Sequence, residues 1–286
     1  MVRHPLLTLL ALFSLASCQN DRQLAPETLV VSVLPDRSTD EPSSRFDPLM
    51  DYLEATTGQS MQLVLAEDYA SLLQSFINGD VHLAFLGSVT FVSAEEAVNA
   101  EPLVMRDIDV SFRSCYVARS DDSRRVIDDF KGSAFSFGSE LSTSGHLMPR
   151  YFMQRSGVAP EDFFSSVDHA RTHFETAQKV IDSSVAIGVM NCFILEEALG
   201  SDRIPADGIR VVAKTPGYAN YVWTIQENIS DDLKKALVDA YLALDNSNAE
   251  HAAILRSLRA SVFLPAGRAD FEDIRRAVLA LGDDQT

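Results

Sequence analysis

The sequence predicts an α/β protein built as two alternating α/β lobes, joined by two crossover strands, with a ligand cleft between them. Three observations predict it. From residue 28, β-branched apolar runs alternate with segments of helical periodicity, the pattern of a mostly parallel sheet covered by helices. The long extended stretch "DVSFRSCYVARS" (109–120) interrupts this pattern, which then resumes as a second complete unit. After "TPGYANYVWTI" the chain turns helical. Helices without strands of their own must pack on a unit already made, and the first is the economical choice.

The elements follow in chain order. "TLVVSVLP" (28–35) is a buried strand stopped by proline. Phe46, Leu49, Met50 and Leu53 recur at helical spacing, and Gly58 ends that helix. "MQLVLA" is a second strand. Asp68 is an N-cap, with Tyr69, Leu72, Leu73 and Phe76 on one face and Asn78-Gly79 as the stop. "VHLAFLG" is a third strand, and Ser88 caps the helix after it. In the second unit "SAFSFGSE" is a strand, and a hydroxyl cluster and a helix follow. Pro149 requires that helix to kink or to begin late. "FFSSVD", a helix from about Thr172, and the strands "SSVAIGVM" and "IRVVAK" complete the unit. Ser230 caps a helix with Leu233, Leu237, Tyr241 and Leu244 inward. Asp270 caps the last helix, with Phe271, Ile274, Val278 and Leu281 inward and Gly282 past its end. Residues 28–113 and 221–286 then form lobe one, and 114–220 form lobe two. Two crossings, near Cys115 and Tyr221, make a hinged clamp.

The N-terminus "MVRHPLLTLLALFSLASC" carries one arginine and an apolar run too short to span a bilayer. Residues 1–17 are expected to be a signal peptide. Leu15-Ala16-Ser17-Cys18 resembles a bacterial lipobox, so Cys18 is the expected lipidated first residue and 18–27 a tether. The mature protein is then expected in the periplasm or cell envelope as a monomer, touching the membrane through its lipid alone. The formal net charge is -17. It becomes more negative when Arg3 leaves with the signal peptide, which argues against nucleic acid and anionic lipid as partners. The six histidines fall in no metal-binding spacing, no serine stands in Gly-x-Ser-x-Gly, and "GSELSTSG" lacks the Gly-Lys-Ser/Thr ending of a P-loop. No enzyme activity, metal or cofactor is expected. Of the later cysteines, Cys115 and Cys192 could pair in an oxidising compartment, or be small buried apolar residues.

The functional signal is "SELSTSGHLMPRYF" (139–152). Ser142, Thr143 and Ser144 stand between a strand and a helix, with Gly145 behind them and no lysine nearby. Gly87-Ser88-Val89-Thr90 occupies the corresponding place in lobe one. Ligands in open α/β sheets sit where strands end and helices begin. Each helix start offers unpaired N–H groups, a partial positive charge and hydroxyls. If the lobes close face to face, both ends converge on one small volume suited to a tetrahedral oxyanion. Serine as a plain N-cap, worth about 1 kcal/mol to its helix, is the structural alternative.

In this order and spacing the chain resembles the periplasmic phosphate/phosphite/phosphonate-binding proteins of ABC importers. "RFDPLMDYLEATTG" looks like the family's first helix, "NGDVHLAFLGSVTFVSA" like its strand, turn and helix in lobe one, and "HFETAQKVIDSSVAIGVMN" like a later helix and strand. "STSGHLMPRYF" is the most telling, a hydroxyl-rich loop that holds phosphoryl oxygens. The resemblance implies a type II-like periplasmic-binding-protein fold and a permease partner. It implies Ser142, Thr143 and Ser144 as ligand contacts, with Ser88 and Thr90 opposite. His173 is either a further ligand donor or a buried helix-start histidine, and Tyr218 on the second crossover joins the set. Phe174 after His173, Asn191 closing "AIGVMN" and the crossover "TPGYANYVW" supply no acid where relatives that bind aminophosphonates have one, so a ligand ammonium is not expected. Cys115 opens a second reading. Arsenite-sensing relatives that signal to a membrane histidine kinase look like the same family and hold arsenic through a cleft cysteine, since a thiolate suits a thiophilic centre.

Overall fold

A computed structural model describes residues 25–36, 43–200, 204–205 and 207–283. The expected signal peptide, the lipidation site Cys18 and most of the tether lie outside these residues. Lobe one opens with β1 (Thr28–Val33), whose Leu29, Val31 and Val33 are buried. It continues through α1 (Asp47–Thr57), β2 (Ser60–Leu65), α2 (Tyr69–Ile77), β3 (Leu83–Leu86), α3 (Ser88–Val98) and β4 (Glu101–Arg106). β1 pairs in parallel with both β2 and β3, as βαβ connection requires. Gly58 adopts the left-handed conformation that ends α1, and Asp68 forms a capping box with Ser71 at the start of α2.

Lobe two holds β5 (Ser114–Arg119), β6 (Ala134–Phe137), a π-helical turn over Thr143–Leu147, α4 (Met148–Arg155), α5 (Pro160–Phe163), β7 (Ser166–His169), α6 (His173–Ile181), β8 (Ile187–Asn191), α7 (Cys192–Leu199) and β9 (Ile209–Lys214). Its five strands run in the order β7-β6-β8-β5-β9. One core lies on each face of that sheet, Val117, Val180 and Leu195 on one and Phe135, Phe137 and Val189 on the other. The chain then returns as β10 (Val222–Ile225), α8 (Asp231–Leu242), α9 (Ala249–Ser257), β11 (Phe263–Pro265) and α10 (Glu272–Asp283). β10 enters antiparallel between β3 and β4, completing the order β11-β4-β10-β3-β1-β2. Trp223 and Tyr241, both fully buried, carry the returning chain into the core of lobe one.

The crossovers are held to each other. Phe112 and Tyr218 exchange backbone hydrogen bonds of 2.8 and 3.0 Å, and the Asn220 N–H donates to the Asp109 carbonyl at 3.0 Å. The buried Arg106 guanidinium donates to both Asp109 carboxylate oxygens, at 2.7 and 2.9 Å, and lies over the Phe85 and Tyr221 rings. Removing one member of such a buried pair costs about 3–5 kcal/mol, because the other charge is stranded.

Several local expectations are corrected. Gly87, not Ser88, caps α3, and Ser88 is its first residue. The stretch 109–120 is not one strand: a 3-10 turn ends at Asp109, a single bridge follows at Phe112, and only then does β5 begin. The returning segment contributes the short edge strand β11, and α10 runs through Gly282 to Asp283. The correction with the most consequence is at Cys115. Its sulfur is bonded to Cys192, with the two Cα atoms 5.1 Å apart. It is therefore neither a free apolar cysteine nor a thiolate able to ligate.

Candidate functional site

The two predicted helix starts do meet. The Val89 N–H at the start of α3 donates to Thr143 Oγ1 at 3.0 Å, a bond that runs directly from one lobe to the other. Close approach is possible because of glycine. A Cβ on Gly87 would stand 3.3 Å from Thr143 Oγ1, and one on Gly145 would stand 2.9 Å from Ser142 Oγ and 3.0 Å from the Gly138 Cα. Ser142 Oγ accepts from the Gly145 N–H at 2.9 Å, capping the π turn. Pro149 falls in the first turn of α4, where its missing N–H is harmless. The helix thus begins late and the turn before it is free to take the π form. Ser142, Thr143 and Ser144 are all buried.

Around this junction lie polar side chains from both lobes. Asp36 follows the end of β1. Its carbonyl accepts from the His173 N–H at 3.1 Å, and its Oδ2 accepts from the Tyr221 hydroxyl. Asn191 donates from Nδ2 to the same tyrosine oxygen at 3.2 Å, while its Oδ1 caps α7. The His173 ring sits against Gly145, and its Nδ1 accepts from the Asn191 N–H at 3.4 Å. With Nδ1 accepting, Nε2 is the ring nitrogen able to donate. Tyr69 lies between Asp36 and Ser142. Burial pushes its phenol well above the ordinary range, the Asp36 charge adds to this, and the hydrogen bond with Ser142 opposes it. Tyr221 is raised by burial and again by Asp36. Both are neutral hydroxyls at any physiological pH. Asn220 is buried, and its Oδ1 and Nδ2 have no partner among the described residues. At the lobe junction an open cavity of about 470 Å³ is lined by Pro35, Glu67, Asp68, Arg171 and Thr172 among others.

Ser142, Thr143, Ser144, Ser88, Thr90 and His173 are thus gathered at one junction, but not all in the roles expected. The Ser88 hydroxyl donates to the carbonyls of Ala219 and Asn220, and Thr90 Oγ1 donates to the Gly87 carbonyl at 2.8 Å. Both protons are engaged, that of Ser88 on the second crossover and that of Thr90 within its own helix start, so what this helix start offers is main-chain N–H. Tyr218 is corrected: its hydroxyl lies 2.5 Å from Ser114 Oγ, and its ring packs on Phe112 in the crossover. Tyr221 takes the place expected for it. Asp36 does bring a carboxylate to the junction, away from the three places where the sequence supplies no acid. Asp36, Tyr69, Asn220 and Tyr221 were missed as site residues. The available signal was their position, since each lies just beyond a strand or at a helix start, where the strand-end rule applies as well as it does to Ser142.

A two-lobed clamp closing neutral donors and two helix starts over a small volume defines a solute-binding protein. Comparison with known proteins agrees. Residues 31–271 match the family described as ABC transporter, phosphonate, periplasmic substrate-binding protein, and the chain belongs to that family. It is 26% identical over 87% of its length, and 88% of the relative's, to the "Probable ABC transporter phosphite binding protein PhnD1" of Prochlorococcus marinus. A phosphate-import protein PhnD of Mycolicibacterium smegmatis is 33% identical over 46% of this chain and 43% of the relative. The structure of the Prochlorococcus PhnD1 in complex with methylphosphonate superimposes with a TM-score of 0.83 at 25% identity, covering 90% of this chain and 98% of that one. The protein is accordingly a periplasmic substrate-binding component of an ABC transporter rather than an enzyme.

Proposed function

We propose that this protein captures a small tetrahedral phosphorus oxyanion of the phosphate, phosphite or simple phosphonate type and delivers it to its importer's permease as a lipid-anchored monomer. The carrying observation is the junction of the α3 start with the Ser142-Thr143-Ser144 turn through Val89 and Thr143. N–H groups of both starts, the hydroxyls of Ser142, Thr143 and Ser144, and the Nε2–H of His173 supply neutral donors, so the anion needs no lysine. Charges beyond about 8 Å are screened at physiological salt, and the acidic surface is no obstacle. The methylphosphonate held by the related PhnD1 supports the ligand class. The arsenite-sensor reading, with a histidine kinase as partner, depended on a Cys115 thiolate, and that sulfur is bonded to Cys192.

The test is a thermal-shift panel of phosphate, phosphite, methylphosphonate, sulfate, arsenate and arsenite on the mature protein. A phosphorus oxyanion at a hundred times its Kd should stabilise by about 2.7 kcal/mol. A panel in which only arsenite stabilises would reverse the assignment. For the anchor, Cys18→Ser should move the protein from membranes to the soluble fraction. Wild type that carries no lipid by mass spectrometry would refute the lipoprotein reading.

A further inference from the structure

We propose that Asp36 is the residue that selects among oxyanions, accepting a hydrogen bond from a protonated oxygen of the ligand. The inference rests on the oxyanion reading above and names the form of anion the site takes. Asp36 has a side chain 8% exposed at the lobe junction. Its two carboxylate oxygens are used unequally. Oδ2 accepts from the Tyr221 hydroxyl, whereas Oδ1 is buried with no hydrogen-bond donor among the described residues. A buried acceptor left without a donor is costly, so it implies a donor that comes with the ligand. The surroundings are those of the proposed ligand: Tyr69, hydrogen-bonded to Ser142, feels the Asp36 charge, and the Asp36 carbonyl holds the N–H of His173, the first of α6.

Two donor chemistries could satisfy Oδ1, a ligand hydroxyl or a ligand ammonium. The charges favour the hydroxyl. Arg45 Nη2 stands 3.9 Å from Oδ1, beyond hydrogen-bonding reach but close enough to balance its charge. Arg106, stacked over the Tyr221 ring, attracts Asp36 as well. Among the described residues, Tyr69, Tyr221 and the His173 N–H are the other polar groups that meet Asp36. Tyr69 and Tyr221 stay neutral, and His173 Nδ1 accepts from the Asn191 N–H. With Arg106 already paired to Asp109, an ammonium would bring a second cation to a carboxylate that Arg45 already faces. A P–OH group adds only the missing donor. A fully deprotonated oxyanion such as sulfate would set its own lone pairs against Oδ1, so the same residue rejects it.

Calorimetric titration of the mature protein with methylphosphonate, phosphate and sulfate at pH 6 to 9 tests this. Methylphosphonate loses its last O–H at its second ionisation, whereas hydrogenphosphate keeps one. Wild type should bind methylphosphonate at least about tenfold tighter than sulfate at pH 6. Its methylphosphonate affinity should fall about tenfold per pH unit above that ionisation, with phosphate affinity far less affected. Asp36→Asn can turn an N–H toward the ligand, and it should erase both the pH slope and the preference over sulfate. Wild type that binds none of the three anions would overturn the oxyanion function and this inference together. Binding of methylphosphonate and sulfate alike, or a methylphosphonate affinity that does not fall with pH, would overturn the role of Asp36 alone. So would a preference for aminoethylphosphonate, titrated alongside them, that Asp36→Asn abolishes.

Discussion

Thr143 shows how one side chain can serve two lobes. Its Oγ1 accepts the Val89 N–H, and Gly87 has no Cβ because one would stand 3.3 Å from that oxygen. Thr143→Val keeps the shape but leaves the buried N–H without an acceptor, at a cost of about 1–3 kcal/mol. The cost falls on the closed form, so oxyanion affinity measured by calorimetry should drop about 5- to 150-fold with little change in the stability of the ligand-free protein. An unchanged affinity would show that this contact does not couple closure to binding. Much at this scale was legible in the sequence. Asp68, Thr172 and Ser230 all cap helices through their own side chains, because a cap depends on neighbours three residues away. Ser142-Thr143-Ser144 stood out for the same reason. Asp36 did not, because its meaning depends on Tyr221, 185 residues later. Ser88 shows a related limit: the sequence marks a polar residue at a helix start but not where its hydroxyl points. That hydroxyl turns to the Ala219 and Asn220 carbonyls of the returning chain.

At the scale of elements, the disulfide changes the reading of lobe two. Cys115 lies in β5, the strand that enters the lobe, and Cys192 is the first residue of α7. The bridge closes a loop of 77 residues that contains most of the lobe. The sequence left pairing as one of three open possibilities, because only the antiparallel register of β5 with β8, which sets Cys115 opposite Met190, brings the sulfurs together. Cross-linking a loop of this size stabilises by about 2–4 kcal/mol, mainly by restricting the unfolded chain. Urea denaturation with and without reductant should show that loss in wild type and none in a Cys115→Ala/Cys192→Ala variant. A reductant-insensitive wild type would contradict the bridge. β10 makes the opposite point about legibility. "YVWTI" reads as extended, yet nothing local tells that it inserts antiparallel between β3 and β4 and so closes the lobe-one sheet. Alternation of strands and helices reveals that a sheet exists, while strand order is a property of contacts far apart in sequence.

The whole molecule is a clamp whose two crossovers are tied by the Phe112–Tyr218 bridge and by Asp109, with the buried Arg106 stacked on Tyr221. Tyr221 therefore connects the hinge to the cleft: its ring packs under Arg106, and its hydroxyl holds Asp36 and Asn191. Closing the lobes assembles donors that are far apart in the chain, which is why a family of weak local motifs yields one compact site. The central claim is that a phosphorus oxyanion sits where α3 and the Ser142-Thr143-Ser144 turn meet. A crystal structure of the mature protein with methylphosphonate tests this most directly. The account predicts the phosphorus between the first turn of α3 and residues 142–144, its oxygens taking their N–H and hydroxyl donors and one oxygen facing Asp36 Oδ1. A methylphosphonate bound elsewhere, or a saturated crystal with that junction empty, would contradict it.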